Sequence, residues 1–213
     1  MDTVWLTTAY FGPVHNFRLM AGAGTVWIEA FEHYQKQSYR NRCQILSANG
    51  PITLSIPIIK GRSPGQPVRD VRIDQQGNWQ KLHFKSVESA YRHSPYYEFL
   101  IDDLMEFWTR RWEFLFDYNM AITESVVKLL KLDCTIRLTE SFGEPGCYGR
   151  SDYRYRIHPK QQEEGTDLSS VPYHQVFSDR FGFVGGLSVL DAMFNLDLSS
   201  FLKLDRSIHL TGF

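Results

Sequence analysis

The chain lacks most of the signatures by which a sequence declares its chemistry. Its three cysteines, Cys43, Cys134 and Cys147, follow no C-x-x-C spacing, and an odd count argues against a complete disulfide framework. His33, His83, His93, His158, His174 and His209 are scattered, none at zinc spacing from another His or Cys, so no metal is expected. There is no G-x-S-x-G elbow and no Walker A loop, which excludes the two commonest hydrolase and NTPase signatures, and no cofactor motif takes their place. Neither sign of charge dominates: 23 basic against 24 acidic residues leave a formal charge of -1. A nucleic-acid partner is therefore not expected. No run approaches the roughly 20 apolar residues of a membrane span, and residues 1–12 carry neither a basic n-region nor an apolar h-region. A cytoplasmic address is the expectation. Internal repeats and low-complexity blocks are absent as well.

What is present suits one α/β domain over residues 1–213. "TVWLTTAY" reads as a strand that "FGPV" turns, "NFRLMAGAG" as a short helix closed by glycine, and "TVWIEA" as a second strand; together they begin a βαβ-like unit. "RCQIL" and "ITLSIPII" form an antiparallel insertion, a hairpin through Asn49-Gly50, and "VRDVRID" alternates as a further strand. A helical middle section follows. "NWQKLHFKSVESAYRHS" places Leu82, Val87, Ala90 and Tyr91 near one face with Asn78 as N-cap, and "YYEFLIDDLMEFW" and "WEFLFDYNMAITESVVKLLKL" continue the helical period. "CTIRLT" returns as a strand of a mixed sheet. Residues 140–180 are loop-rich, the polar stretch 158–170 reading as an exposed loop. In "LSVLDAMFNL" Leu187, Leu190, Met193 and Phe194 form the buried stripe of a last helix, with Asp191 toward its edge.

The densest polar segment is "HYQKQSYRNRC", residues 33–43. On an extended backbone Arg40 and Arg42 share a face and Asn41 takes the other. Two guanidiniums on one face suit a phosphate or carboxylate. Lys36 and Gln37 would enlarge that pocket, Tyr34 and Tyr39 would stack on a sugar or base, and Asn41 and Arg42 would stabilise an oxyanion. Tyr10, at the turn after the first strand, is expected to line the same concavity, with Glu29 or His33 as general base. The competing reading pairs Arg40 and Arg42 with Glu29 and Glu32, and the segment then only fixes the fold. The aromatic run "EFWTRRWEFLF" at 106–116 is either a face for a protein partner or homo-oligomer, or helix interior. His15, in "YFGPVHNFRLM", stands where adenylyl-transfer domains open a helix with His-x-Gly-His. Phe17 and Arg18 replace the glycine and second histidine.

Taken in order, "TAYFGPVHNFRLM", "EAFEHYQKQSYRNRCQI", "LSIPI", "NWQKLHFKSVESAYRHSPYYE" and "YHQVFSDRFGFVGGLSVLDAMFN" resemble the WbqC-like family over about residues 7–202, the Lys-Gln-Ser-Tyr-Arg-Asn-Arg run at 36–42 being the most specific element. The chain departs from the family pattern at Gly12, where a proline is usual, and at Asn16, where an aromatic is. The resemblance implies a bacterial protein associated with surface-polysaccharide and O-antigen gene clusters. The implied activity is a transferase that passes an amino acid, glycine being the proposed case, to a sugar; the alternative is a non-catalytic protein of the same pathway that binds a nucleotide-sugar or other phosphorylated or carboxylated ligand.

Overall fold

The computed structural model describes residues 2–59, 65–159 and 171–204. Strand β1 (Thr3–Thr7) runs into helix α1 (Val14–Ala21) and returns as β2 (Thr25–Glu29), which pairs parallel to β1 in register Thr3 to Thr25 through Thr7 to Glu29. The βαβ unit expected from the sequence is therefore present. Parallel strands need a crossover, and Gly12-Pro13 and Gly22 bound this one tightly. The antiparallel hairpin follows as β3 (Arg42–Ser47) and β4 (Gly50–Ser55), Gly50 taking a φ of 106° that a side chain would resist.

The middle section is helical: α2 (Trp79–Tyr91), α3 (Tyr97–Leu104), α4 (Glu106–Thr109) and α5 (Leu115–Leu129). Strand β5 (Thr135–Leu138) then pairs parallel to β2 on its free side, giving a three-stranded sheet in the order β1-β2-β5 beside the two-stranded hairpin. The chain is thus mixed α/β. It closes with α6 (Ser178–Phe181), α7 (Val189–Asn195) and α8 (Leu198–Lys203), α7 packing against α1 and α3. Among the described residues no helix is long and apolar enough to cross a membrane.

Two local expectations need correction, and a third point, left open between two readings, is decided. "VRDVRID" is not a strand: Val68–Asp70 is a 3-10 turn, and Arg72 and Ile73 make only isolated bridges. Pro67 sets the turn, which consumes the ladder positions. On α2, Leu82 is 62% exposed; the buried stripe runs Trp79, His83, Val87, Ala90 and Tyr91, the four-residue step placing a histidine inside, and Asn78 makes no side-chain cap bond. In the 106–116 run, Phe107, Trp108, Leu115 and Phe116 are core residues, so its aromatics build an interior rather than a partner face. Trp108 stacks on Phe11 at 5.2 Å and Tyr118 closes on Tyr10 at 5.8 Å, spacings at which ring pairs add to simple burial. The polar stretch at 158–170 lies outside the described residues from 160 onward.

A buried charge cluster as candidate functional site

The parallel strands β1 and β2 end at Thr7 and Glu29, and the crevice beyond the carboxyl ends of such strands is where open α/β sheets hold ligands. Glu29 is fully buried with both oxygens engaged. Oε1 accepts from the Phe31 N–H at 2.9 Å and from Thr139 Oγ1 at 2.8 Å, and Oε2 accepts from Arg154 Nη1 at 2.5 Å. Thr139 follows β5 directly, so the pairing of β5 with β2 delivers that hydroxyl.

Arg154 has no exposed surface on its side chain. Beyond Glu29, its Nε and Nη2 donate to Asp152 Oδ1 and Oδ2 at 2.9 and 2.7 Å, Nη1 donates to the Gly143 carbonyl at 2.8 Å, and Nη2 to the Glu144 carbonyl at 3.0 Å. A guanidinium has five N–H donors, and five oxygens meet them here. The ring of Tyr148 lies 4.7 Å from its carbon and itself stacks on Trp5 at 4.3 Å. Burial alone would raise the Asp152 carboxyl, but Arg154 and the Gly146 N–H outweigh it and hold Asp152 below the usual carboxylate range.

Arg40 sits in the same region. Its Nε donates to Glu32 Oε1 at 2.7 Å and its Nη2 to Glu32 Oε2, a two-pronged buried pair. Burial pushes the Glu32 carboxyl up despite that cation, and the neighbouring Glu29 adds to the rise. The ring of Tyr155 lies 6.0 Å from the Arg40 guanidinium and 5.8 Å from that of Arg154, joining the two ion pairs. Three carboxylates, Glu29, Glu32 and Asp152, thus face two guanidiniums, and the cluster carries a surplus of negative charge.

The residues expected to form one pocket are divided. Residues 36–41 run as turns, with Gln37 at a φ of 58°, so the alternation assumed for an extended segment does not apply. Arg40 turns inward to Glu32, while Arg42 opens β3 half-buried, its Nε without a partner among the described residues. The two arginines form no common fork. Asn41 donates through Nδ2 to the Ile56 carbonyl at 3.0 Å, which commits one of its two amide N–H groups. Tyr10 lies in the aromatic interior with its hydroxyl 2.9 Å from His83 Nδ1, and burial raises its pKa well above the ordinary phenol value; its N–H donates to the Tyr39 carbonyl of the segment at 2.9 Å. Tyr39 is buried and Tyr34 half-buried, whereas Lys36 and Gln37 are exposed. His33 is exposed and its Nδ1 is bonded to the Gly65 carbonyl.

Arg40→Lys keeps the charge but not the planar pair of donors. The pairing with Glu32 predicts a loss of about 1.5–3 kcal/mol of stability, the worth of one charge-assisted hydrogen bond, read as a shift in the urea midpoint. An unchanged midpoint would return Arg40 to the role of a ligand contact.

Sequence reasoning missed Arg154, Asp152 and Tyr155, whose signal was a cation between aromatics in "SDYRYR" within a loop-rich region. It also misplaced Asp191. That residue is fully buried, accepting from Tyr91 Oη at 2.9 Å on one oxygen and from Tyr173 Oη at 2.7 Å and Gln175 Nε2 at 3.0 Å on the other. Among the described residues no salt bridge reaches it, and burial pushes its carboxyl up against those three donors. No group of three or more His, Cys, Asp or Glu residues among those described has the arrangement of a metal site.

Neither a curated protein nor a solved structure matches the chain. The model of the WbqC-like protein family matches residues 8–157, a span that holds β2, Glu32, the 36–42 segment and the Asp152–Arg154 pair. The chain therefore belongs to the WbqC-like protein family.

Proposed function

We propose that the protein is a transferase of bacterial surface-polysaccharide biosynthesis, of the O-antigen type, that passes an amino acid such as glycine from an activated donor to a sugar. The observation that carries the reading is the cluster of Glu29, Glu32, Asp152, Arg40 and Arg154 at the carboxyl end of a parallel sheet. Ionisable groups perturbed by burial and by a specific partner mark catalytic sites more often than chance. Glu32, raised by burial, suits a general base. It takes the proton of the acceptor hydroxyl or amine as that atom attacks the donor carbonyl, and the donor's leaving group departs. Arg40 orients Glu32, while Arg154 holds Glu29. Cys43 is buried and its thiol is held protonated, which favours a direct displacement over a thioester route.

A second reading, a non-catalytic protein binding a nucleotide-sugar or another anion in the same pathway, is favoured by the closure of the cluster: Glu29, Glu32, Arg40 and Arg154 are all shielded from solvent and mutually paired. Nucleotide-sugars mixed with aminoacyl donors separate the two. With product followed by mass spectrometry, aminoacylated sugar is expected from the native protein and at least about a hundredfold less from Glu32→Gln. Thermal stabilisation by a nucleotide-sugar without product would move the assignment to the binding protein. Neither product nor stabilisation would sink both readings.

A further inference from the structure

The start of α2 and the segment that follows α4 enclose a cleft of about 200 Å³, where a single water needs only roughly 10–15 Å³. Its walls include Gln75, Trp79, Gln80, Lys81, Trp108 and Arg111, none of which belongs to the charge cluster around Glu29. Trp79 and Trp108 are buried core residues, so they form its floor. The two glutamines build a wall by tying the chain down. Gln75 Nε2 donates to the Trp112 carbonyl at 2.6 Å, and Gln80 Nε2 donates to the carbonyls of Phe107 and Arg110 at 3.1 and 2.7 Å. Residue 111 is thus held between two tied neighbours, which fixes its backbone at the rim although its side chain is exposed. With each amide nitrogen engaged, Oε1 of Gln75 and of Gln80 remains as an acceptor.

The charges of the cleft have one sign. Lys81 comes from α2 and Arg111 from the segment after α4, and among the described residues that line the cleft there is no carboxylate. Arg110 stacks on the Trp112 ring at 4.6 Å, whereas neither Lys81 nor Arg111 takes part in a salt bridge among the described residues. Two cations on separate elements therefore converge on one concave opening, whose walls concentrate their field. The first turn of α2 carries no acidic residue and adds potential of the same sign, but the assignment stands on the cleft and its two cations.

We propose that this cleft binds a small hydroxylated anion, a phosphate or carboxylate head on a polyol body, with Lys81 and Arg111 donating to the head and Oε1 of Gln75 and Gln80 accepting from hydroxyls. Arg111 meets an oxyanion with parallel N–H groups and Lys81 as a point charge. The inference rests neither on acyl transfer nor on Glu32.

The test titrates glucose 6-phosphate, glucuronate and glucose into the full chain at matched ionic strength and follows the assigned indole N–H signals of Trp79 and Trp108 by NMR. A saturable shift is expected with at least one of the two anions, at a dissociation constant below about 1 mM, and none with glucose. The anion that binds more tightly identifies the head group. Arg111→Gln and Lys81→Gln are each expected to weaken that binding at least about tenfold, the loss of a charge-assisted contact. Both side chains are exposed, so the urea midpoints of the two variants should stay at the native value. Signals that respond to neither anion, or to glucose as strongly as to the anions, would overturn the proposal, as would an affinity that both substitutions leave unchanged.

Discussion

Arg154→Met is expected to cost the fold about 3–5 kcal/mol, the penalty for removing one partner of a buried ion pair and leaving its carboxylates uncompensated. Methionine retains much of the volume, so little of the loss would come from a cavity. The five oxygens that now receive N–H groups would face an apolar side chain, and Glu29 and Asp152 would lie side by side without a cation. The pH dependence has a definite sign. Asp152 is held below its ordinary range in the folded chain, so its contribution is present above its unfolded pKa of about 3.9 and is lost as pH falls through the depressed folded value. The gap between native protein and variant should therefore be widest near neutral pH and shrink below about pH 4. Urea unfolding of both proteins at pH 7 and pH 3.5 measures it. A gap under about 1 kcal/mol at pH 7 would place the cluster with water-screened surface pairs.

Asp191→Ala should rank next, at about 3 kcal/mol or more, because it deprives Tyr91, Tyr173 and Gln175 of their acceptor at once, and an orphaned buried donor costs about 1–3 kcal/mol. Asp191→Asn should cost much less, since the carboxamide keeps an acceptor oxygen and carries no charge to desolvate. Here the pH effect runs the other way. Burial raises the folded pKa of Asp191, so the folded carboxyl still holds its proton where the unfolded one has lost it. The native protein loses stability relative to Asp191→Asn as pH rises from about 3.9, the unfolded value, through the raised folded value, and the difference is constant above it. Denaturant midpoints of the two proteins from pH 4 to pH 8 follow the trend. Equal destabilisation by Ala and Asn would show that the ionised carboxylate itself is required.

The sheet and hairpin were legible because their signals are local: alternation in "TVWLT" and "TVWIE", and Asn49-Gly50 at a tight turn. The chemistry was not local. Arg40 reads as a free fork only if its backbone is extended, and the positive φ at Gln37, invisible in composition, folds it back onto Glu32. Arg154 has no helical or strand period around it, and its partner Glu29 lies 125 residues away. Asp191 falls at the edge of a three-four stripe, yet every residue of α7 is buried, because α1, α3 and β3 all pack around that short helix and leave it no solvent face. His83 takes the buried position that Leu82 was expected to share for a related reason: the Tyr10 hydroxyl offers it a hydrogen bond inside the core, which repays the burial of an imidazole.

The order β1-β2-β5 also bears on how the chain assembles. β1, α1 and β2 are contiguous and can form early, but the second edge of β2 finds its partner only when Thr135–Leu138 arrives. Until then a central, apolar strand presents unpaired N–H and C=O groups, the kind of edge that recruits other chains. Contacts of such long sequence separation are slow to form, because loop closure precedes any reward. Thr139 and Arg154 come later still in the sequence, so Glu29 waits as a naked carboxylate through the early stages. During synthesis the sheet is finished only toward the end of the middle third of the chain and the cluster is neutralised only in the last third, and release of an incomplete chain would expose a sticky strand beside an uncompensated charge.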